Sequence, residues 1–149
     1  MCALIINDAQ SHLSEKLIKK MQFITNKIIK DEANIGESVN LKIVSTEEIT
    51  ELNSLYRGKN KPTNVLSFTN KDVSKEHTKS LGDIAINFEY VENEAIEQQK
   101  LLNDHLIHML VHGLYHILGY DHENKSDALV MESKEISRLK ELDIQNPYL

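Results

Sequence analysis

With 149 residues, 40% hydrophobic and 27% charged, the chain fits one compact soluble domain, residues 1–149, able to bury a core of its own. A net charge of −6 argues against a protein that coats long nucleic acid by bulk electrostatics, but leaves room for an enzyme with a local basic patch. The single cysteine, Cys2, rules out an internal disulfide and favours a reducing, cytoplasmic compartment, and neither a signal peptide nor a run near the roughly 18 apolar residues of a membrane span is visible.

In chain order, residues 3–6 read as a short strand. A helix follows from Leu13 to about Asp31, with Leu13, Leu17, Met21, Ile24 and Ile28 at helical spacing, and Gly36 ends that region. Residues 39–44 alternate apolar and polar as a half-buried strand does. Ser45-Thr46-Glu47-Glu48 is a capping-box-like start for a helix through Leu52 and Leu55 that ends near Arg57-Gly58, and Pro62 confirms the break. Residues 64–69 are expected as a strand, 71–79 as a polar loop, and 81–88 as a fourth strand. An acidic helix over 89–99 precedes an apolar one over about 100–118, with Leu102, Leu106, Leu110, Leu114 and Leu118 in one stripe. An amphipathic helix from Ser126 to Leu142, capped by Asn124 or Ser126, closes the series. The pattern predicts an α+β domain with a central mixed four-stranded sheet and about five helices.

Five of the seven histidines fall between residues 105 and 122. His112 and His116 stand four apart on the apolar helix, a turn of about 400°, so their rings leave from one face. Such rings can take two corners of a zinc tetrahedron at roughly 2.0–2.1 Å each. Gly119 can adopt the left-handed conformation that stops a helix, and Tyr120-Asp121 can carry His122 back to the same point. Three neutral nitrogens leave one position open, as in catalytic zinc sites, whereas structural sites are closed by four protein ligands. Isolated histidines would be read as core or surface residues; the joint spacing favours a metal, with nickel, copper or iron as alternatives to zinc. His108, one turn earlier, reads as a fourth ligand, a substrate contact, a donor behind a ligand, or a polar lining residue. His105 is expected to be structural.

The spacing H-x3-H-x2-G-x2-H matches that of the metzincin peptidases, but Gly113 stands where their general-base glutamate would be. Phosphodiester cleavage is the candidate chemistry instead, with a metal neutralising charge and an arginine clamping phosphoryl oxygens. One basic run could serve it: Arg57-Gly58-Lys59-Asn60-Lys61, which on charge pattern alone reads as a solvated loop.

H-G-L-Y-H-I-L-G-Y-D-H, residues 112–122, resembles the signature H-G-x-L-H-L-x-G-Y-D-H of the YbeY family of bacterial endoribonucleases. Residues 52–68, L-N-S-L-Y-R-G-K-N-K-P-T-N-V-L-S-F, are similar to that family's L-N-x-x-Y-R-x-x-x-x-P-T-D-V-L-S-F, and L-G-D-I-A-I, residues 81–86, to a third block. The resemblance implies a metal-dependent endoribonuclease directed at single-stranded RNA. It also implies action in ribosomal RNA maturation, mainly of the small subunit, and in ribosome quality control, with the ribosome or small-subunit factors as partners. It implies zinc at His112, His116 and His122, and a functional arginine at Arg57. The basic loop then becomes a phosphate-binding wall, Arg57, Lys59 and Lys61, with His108 as a further substrate contact. Asn64 departs from the family's aspartate and Tyr115 from its leucine, the first compatible with a turn role and the second with packing. Asp83 is the candidate carboxylate behind the metal ligands or proton acceptor, or else a bulge residue. Asp121 accepts a hydrogen bond beside His122 or forms the turn, and Ser67 is a further candidate for lining the cleft. The residues do not choose between water and a ribose 2′-hydroxyl as nucleophile. The rival readings are a metzincin-like metalloprotease or amidohydrolase, and a non-catalytic ribosome-associated zinc protein.

Overall fold

Residues 3–33, 36–69 and 80–149 are described by a computed structural model; the loop expected at 71–79 lies outside them. The elements are β1 (Leu4–Asn7), α1 (Glu15–Glu32), β2 (Ser38–Val44), α2 (Thr46–Arg57), β3 (Val65–Thr69), β4 (Ser80–Asn87), α3 (Phe88–Glu97), α4 (Leu102–Ile117) and α5 (Lys125–Lys140). The strands form one mixed sheet in the order β1-β2-β4-β3, with β1, β2 and β4 parallel and β3 antiparallel at the edge. The mixed four-stranded sheet and five helices expected from the sequence are both present.

Strand periodicity decides where the core lies. Val39 and Leu41 of β2 and Ile84 and Ile86 of β4 point to one face and are buried there. They pack with Leu17, Met21, Ile24 and Ile28 of α1 and with Leu106, Leu110 and Leu114 of α4. Each of these side chains contributes about 1.5–3 kcal/mol on leaving water. Helix α4 is buried almost all round between the sheet, α1, α3 and α5, in keeping with the apolar residues spread around it.

The other face carries Asn40, Lys42, Asp83 and Ala85. Helix α2 covers only one end of it, through Ile49 and Leu52 against Val44, Leu66 and Ala85. The uncovered part of that face becomes the floor of a cleft. Gly82 is obligatory here, because a Cβ would collide with the Phe68 carbonyl oxygen across the β3–β4 pair.

Several boundaries differ from the sequence reading, some of them for capping reasons. Strand β4 stops at Asn87 because that side chain caps α3, accepting from the Tyr90 N–H at 2.8 Å while donating to the Val44 carbonyl at 3.1 Å. Helix α5 starts after Asn124, whose Oδ1 accepts from the Asp127 N–H at 2.8 Å, so Asn124 rather than Ser126 is the cap. Among the described residues no helix is long and apolar enough to cross a membrane.

Candidate metal centre and cleft

The last turns of α4 carry His112 and His116, and the helix stops where the sequence places glycine. Gly119 has φ 102°, its N–H donates to the His116 carbonyl at 3.0 Å, and the Tyr120 N–H reaches the Tyr115 carbonyl at 2.9 Å. The reversing chain is pinned by Tyr120, whose hydroxyl donates to Glu32 at the end of α1 at 2.7 Å. Lys134 of α5 donates to the other oxygen of Glu32 at 3.0 Å. The ring of Tyr120 meets Tyr115 edge-on with centroids 5.4 Å apart. His122 is thereby returned to the helix end, and one nitrogen from each of His112, His116 and His122 lies within 4.8 Å of the others. The Nε2 atoms of His112 and His116 are 3.2 Å apart. Two corners of a tetrahedron with bonds of 2.0–2.1 Å would stand about 3.3 Å apart, so this pair of nitrogens is spaced for two corners of such a site. Burial, with His112 and His122 close by, holds His116 below the ordinary imidazole range, in the neutral form a metal needs.

Behind the histidines stands a residue that the sequence reading missed. Glu135 of α5 is completely buried and accepts from His112 Nδ1 at 3.1 Å and from His108 Nε2 at 2.9 Å. Burial alone would raise its pKa; hydrogen bonds from His108 and His112 outweigh it and hold the carboxyl at about 2. An ionised carboxylate only accepts, so His112 carries its proton on Nδ1 and turns the Nε2 lone pair to the cluster. The sequence did hold a signal. Glu135 lies between Met131 and Leu139 at four-residue spacing, a charge in the buried stripe of an amphipathic helix.

His108 accordingly faces Glu135 and Tyr148 and does not line the cleft. Asp83 does line it and accepts from Asn40 Nδ2 at 2.9 Å. Asp121 accepts from the backbone N–H of His122 at 2.7 Å, which shapes the turn. Among the described contacts neither aspartate touches a ring of the histidine cluster.

The cleft runs from the open sheet face to His116 and encloses about 980 Å³. Its wall holds Arg57, the last residue of α2, placed there because Gly58 ends the helix at φ 69°. The guanidinium donates to the Ser67 carbonyl at 3.0 Å and the Tyr56 carbonyl at 3.3 Å, and lies 5.5 Å from the Phe68 ring centroid. Carbonyls orient a cation without neutralising it. Ser67, Tyr56 and Phe68 share that wall, whereas Lys59 and Lys61 stand exposed on the following loop and do not line the cleft.

A family model described as Endoribonuclease YbeY matches residues 5–143. The chain belongs to the YbeY family. It is similar to the protein named Endoribonuclease YbeY from Francisella tularensis subsp. tularensis strain FSC 198, with 42% identity over 153 residues, covering 97% of this chain and 87% of that one. The Endoribonuclease YbeY of subsp. novicida strain U112 is also 42% identical, over 97% of this chain and 91% of its own. The solution structure of TM1509 from Thermotoga maritima is similar in fold, with a TM-score of 0.65 and 31% identity, covering 93% of this chain and 88% of that one.

The two departures from the YbeY pattern singled out above, Asn64 and Tyr115, have structural partners. Asn64 Oδ1 accepts from the Val65 N–H at 2.6 Å, and its Nδ2 donates to Glu94 Oε1 at 3.0 Å. The same oxygen takes His105 Nε2 at 3.0 Å, which puts His105 in a hydrogen-bonded chain away from the three clustered histidines. An aspartate at 64 would set a second carboxylate against Glu94. Tyr115 is buried, and its hydroxyl accepts from Arg138 Nε at 3.1 Å, so it adds a tie between α4 and α5 to its packing.

Gly113 also acquires a reason in this YbeY chain. A Cβ there would stand 3.1 Å from Ile84 of β4, tighter than ordinary contact, so the peptidase glutamate would be forced into the core. Gly113→Glu is expected to destabilise the fold by more than about 3 kcal/mol, through overpacking and a buried charge, and to confer no casein cleavage. Thermal unfolding and a casein digest check both; an unchanged melting temperature would contradict the packing.

Proposed function

We propose that this chain is a zinc-dependent endoribonuclease of the cytoplasm that cuts single-stranded RNA in ribosomal RNA processing. Its substrate is RNA of the small ribosomal subunit, and ribosome quality control draws on the same cleavage. The observation that carries the reading is the convergence of the three histidine nitrogens with His116 opening on a cleft that also holds Arg57. His112, His116 and His122 would hold the metal. Once bound, zinc supplies Lewis-acid chemistry toward a phosphoryl group and lowers the pKa of water.

The protein residues do the remaining work. Arg57 presents a planar, un-neutralised cation to phosphate oxygens, held in place by the Ser67 carbonyl and the Phe68 ring. Lys59 and Lys61 attract the RNA backbone as it leaves the cleft. Two carboxylates line the cleft, Glu48, which pairs with Lys42, and Asp83, which is the one left to take a proton. Glu135 keeps His112 in the ligating tautomer.

Digests of single-stranded RNA, duplex RNA and casein test this reading. Cleavage confined to single-stranded RNA is expected; casein cleavage without RNA cleavage would overturn it. Single 2′-deoxy substitution at the cut position then separates the two nucleophiles, since equal rates would eliminate the ribose hydroxyl.

A further inference from the structure

We infer that Tyr148 is a positioning residue for the metal centre: through Glu135 it fixes the ring of His112, and the stretch after α5 thereby sets the affinity of the site for its metal. The inference deepens the function proposed above and rests on the three histidines holding a metal.

Glu135 divides its two oxygens among three neighbours. Oε2 takes His112 Nδ1 at 3.1 Å, while Oε1 takes His108 Nε2 at 2.9 Å and the Tyr148 hydroxyl at 2.7 Å. All three must donate, because the carboxylate offers only acceptors. The last torsion of a glutamate is broad, so the carboxylate plane is set by these bonds rather than by an intrinsic rotamer. With the tyrosine hydroxyl removed, Oε1 keeps only His108, and the plane that presents Oε2 to His112 is less constrained.

The geometry of residues 141–149 points to the same polar role. The chain leaves α5, turns through Asp143 at φ 60°, and brings Pro147 to Lys100 and Tyr148 to His108. Lys100 Nζ donates to the Pro147 carbonyl at 2.8 Å, and the Tyr148 N–H donates to Asn146 Oδ1 at 2.9 Å. Cavities of about 450 and 460 Å³ are lined by both Pro147 and Leu149, together with His105 and His108. Leu142 and Ile144 pack against the core, whereas beyond them the stretch is held by these directed contacts. Tyr148 itself is 44% exposed, yet its hydroxyl reaches a carboxylate of 0% exposure. Its ring meets His108 edge-on, with centroids 5.4 Å apart.

The test is the zinc affinity of Tyr148→Phe, by competition with a chromophoric chelator, beside the melting temperature of the metal-free protein. Phenylalanine keeps the ring and removes only the donor. Affinity is expected to fall by about 3- to 10-fold, less than the 10- to 100-fold typical of losing the group directly behind a ligand. RNA cleavage should return to the wild-type rate once zinc saturates the variant. Unchanged affinity overturns the inference, including the case in which only the melting temperature falls. If Tyr148→Phe does not fold, Lys100→Met, which frees the Pro147 carbonyl, is read the same way: weaker zinc binding supports the inference and unchanged binding overturns it. A wild-type protein that binds no metal would overturn the metal reading and this inference with it, whereas normal binding without RNA cleavage would remove only the proposed substrate.

Discussion

Replacing His116 with alanine is expected to abolish stoichiometric zinc retention and to lower RNA cleavage by more than about 100-fold, beyond the range for groups that merely stand behind a ligand. His116 is the central member of the cluster, with ring centroids 4.6 Å from His112 and 4.9 Å from His122. It is also the histidine that lines the cleft. Its loss leaves two imidazoles, too few to grip a cation with one position open for chemistry. The fold should survive, because α4 is held by Leu106, Leu110 and Leu114 on its buried stripe. Metal analysis and cleavage of a single-stranded RNA check the pair of effects. Metal retained without activity would move His116 from ligand to substrate contact.

Arg57→Ala is expected to lower turnover by about 100-fold while zinc content stays at the wild-type level. The magnitude is that of removing one donor aimed at charge that develops during reaction. The guanidinium is exposed and makes no ion pair among the described residues, so its removal should alter stability by no more than about 0.5 kcal/mol. Arg57→Lys should recover only part of the rate, since an ammonium supplies charge without the planar fork. Single-turnover cleavage and metal analysis on the same preparations decide it. Zinc lost together with activity would make Arg57 a structural residue.

The histidine cluster was legible because its placement is local: a four-residue spacing on one helix, then a glycine that stops it. The same holds for Arg57, which sits at the end of α2 because Ser45 caps the start, accepting from the Glu48 N–H at 3.1 Å, and Gly58 ends it. Alternation was legible in β2, and in the structure β2 and β4 together separate Val39, Leu41, Ile84 and Ile86 from Asn40, Lys42, Asp83 and Ala85. Glu135 was not legible in this way. It lies 23 residues beyond His112 on another helix, and only the packing of α5 on α4 joins them. Tyr148 is 40 residues from His108 and joins the same carboxylate through a stretch with no periodicity of its own. Charge patterning could not separate Arg57 from Lys59 and Lys61, because one helix cap decides which of the three faces the cleft. Nor could spacing tell that His108, four residues before His112, faces Glu135 rather than the cleft.

Metal titration of stripped protein, with single-stranded RNA cleavage followed at each addition, bears most directly on the three-histidine centre. Cleavage should be absent after chelation, rise in proportion to added zinc, level off at one ion per chain, and fail to return in His116→Ala. Undiminished cleavage by protein from which every transition metal has been removed would contradict the account.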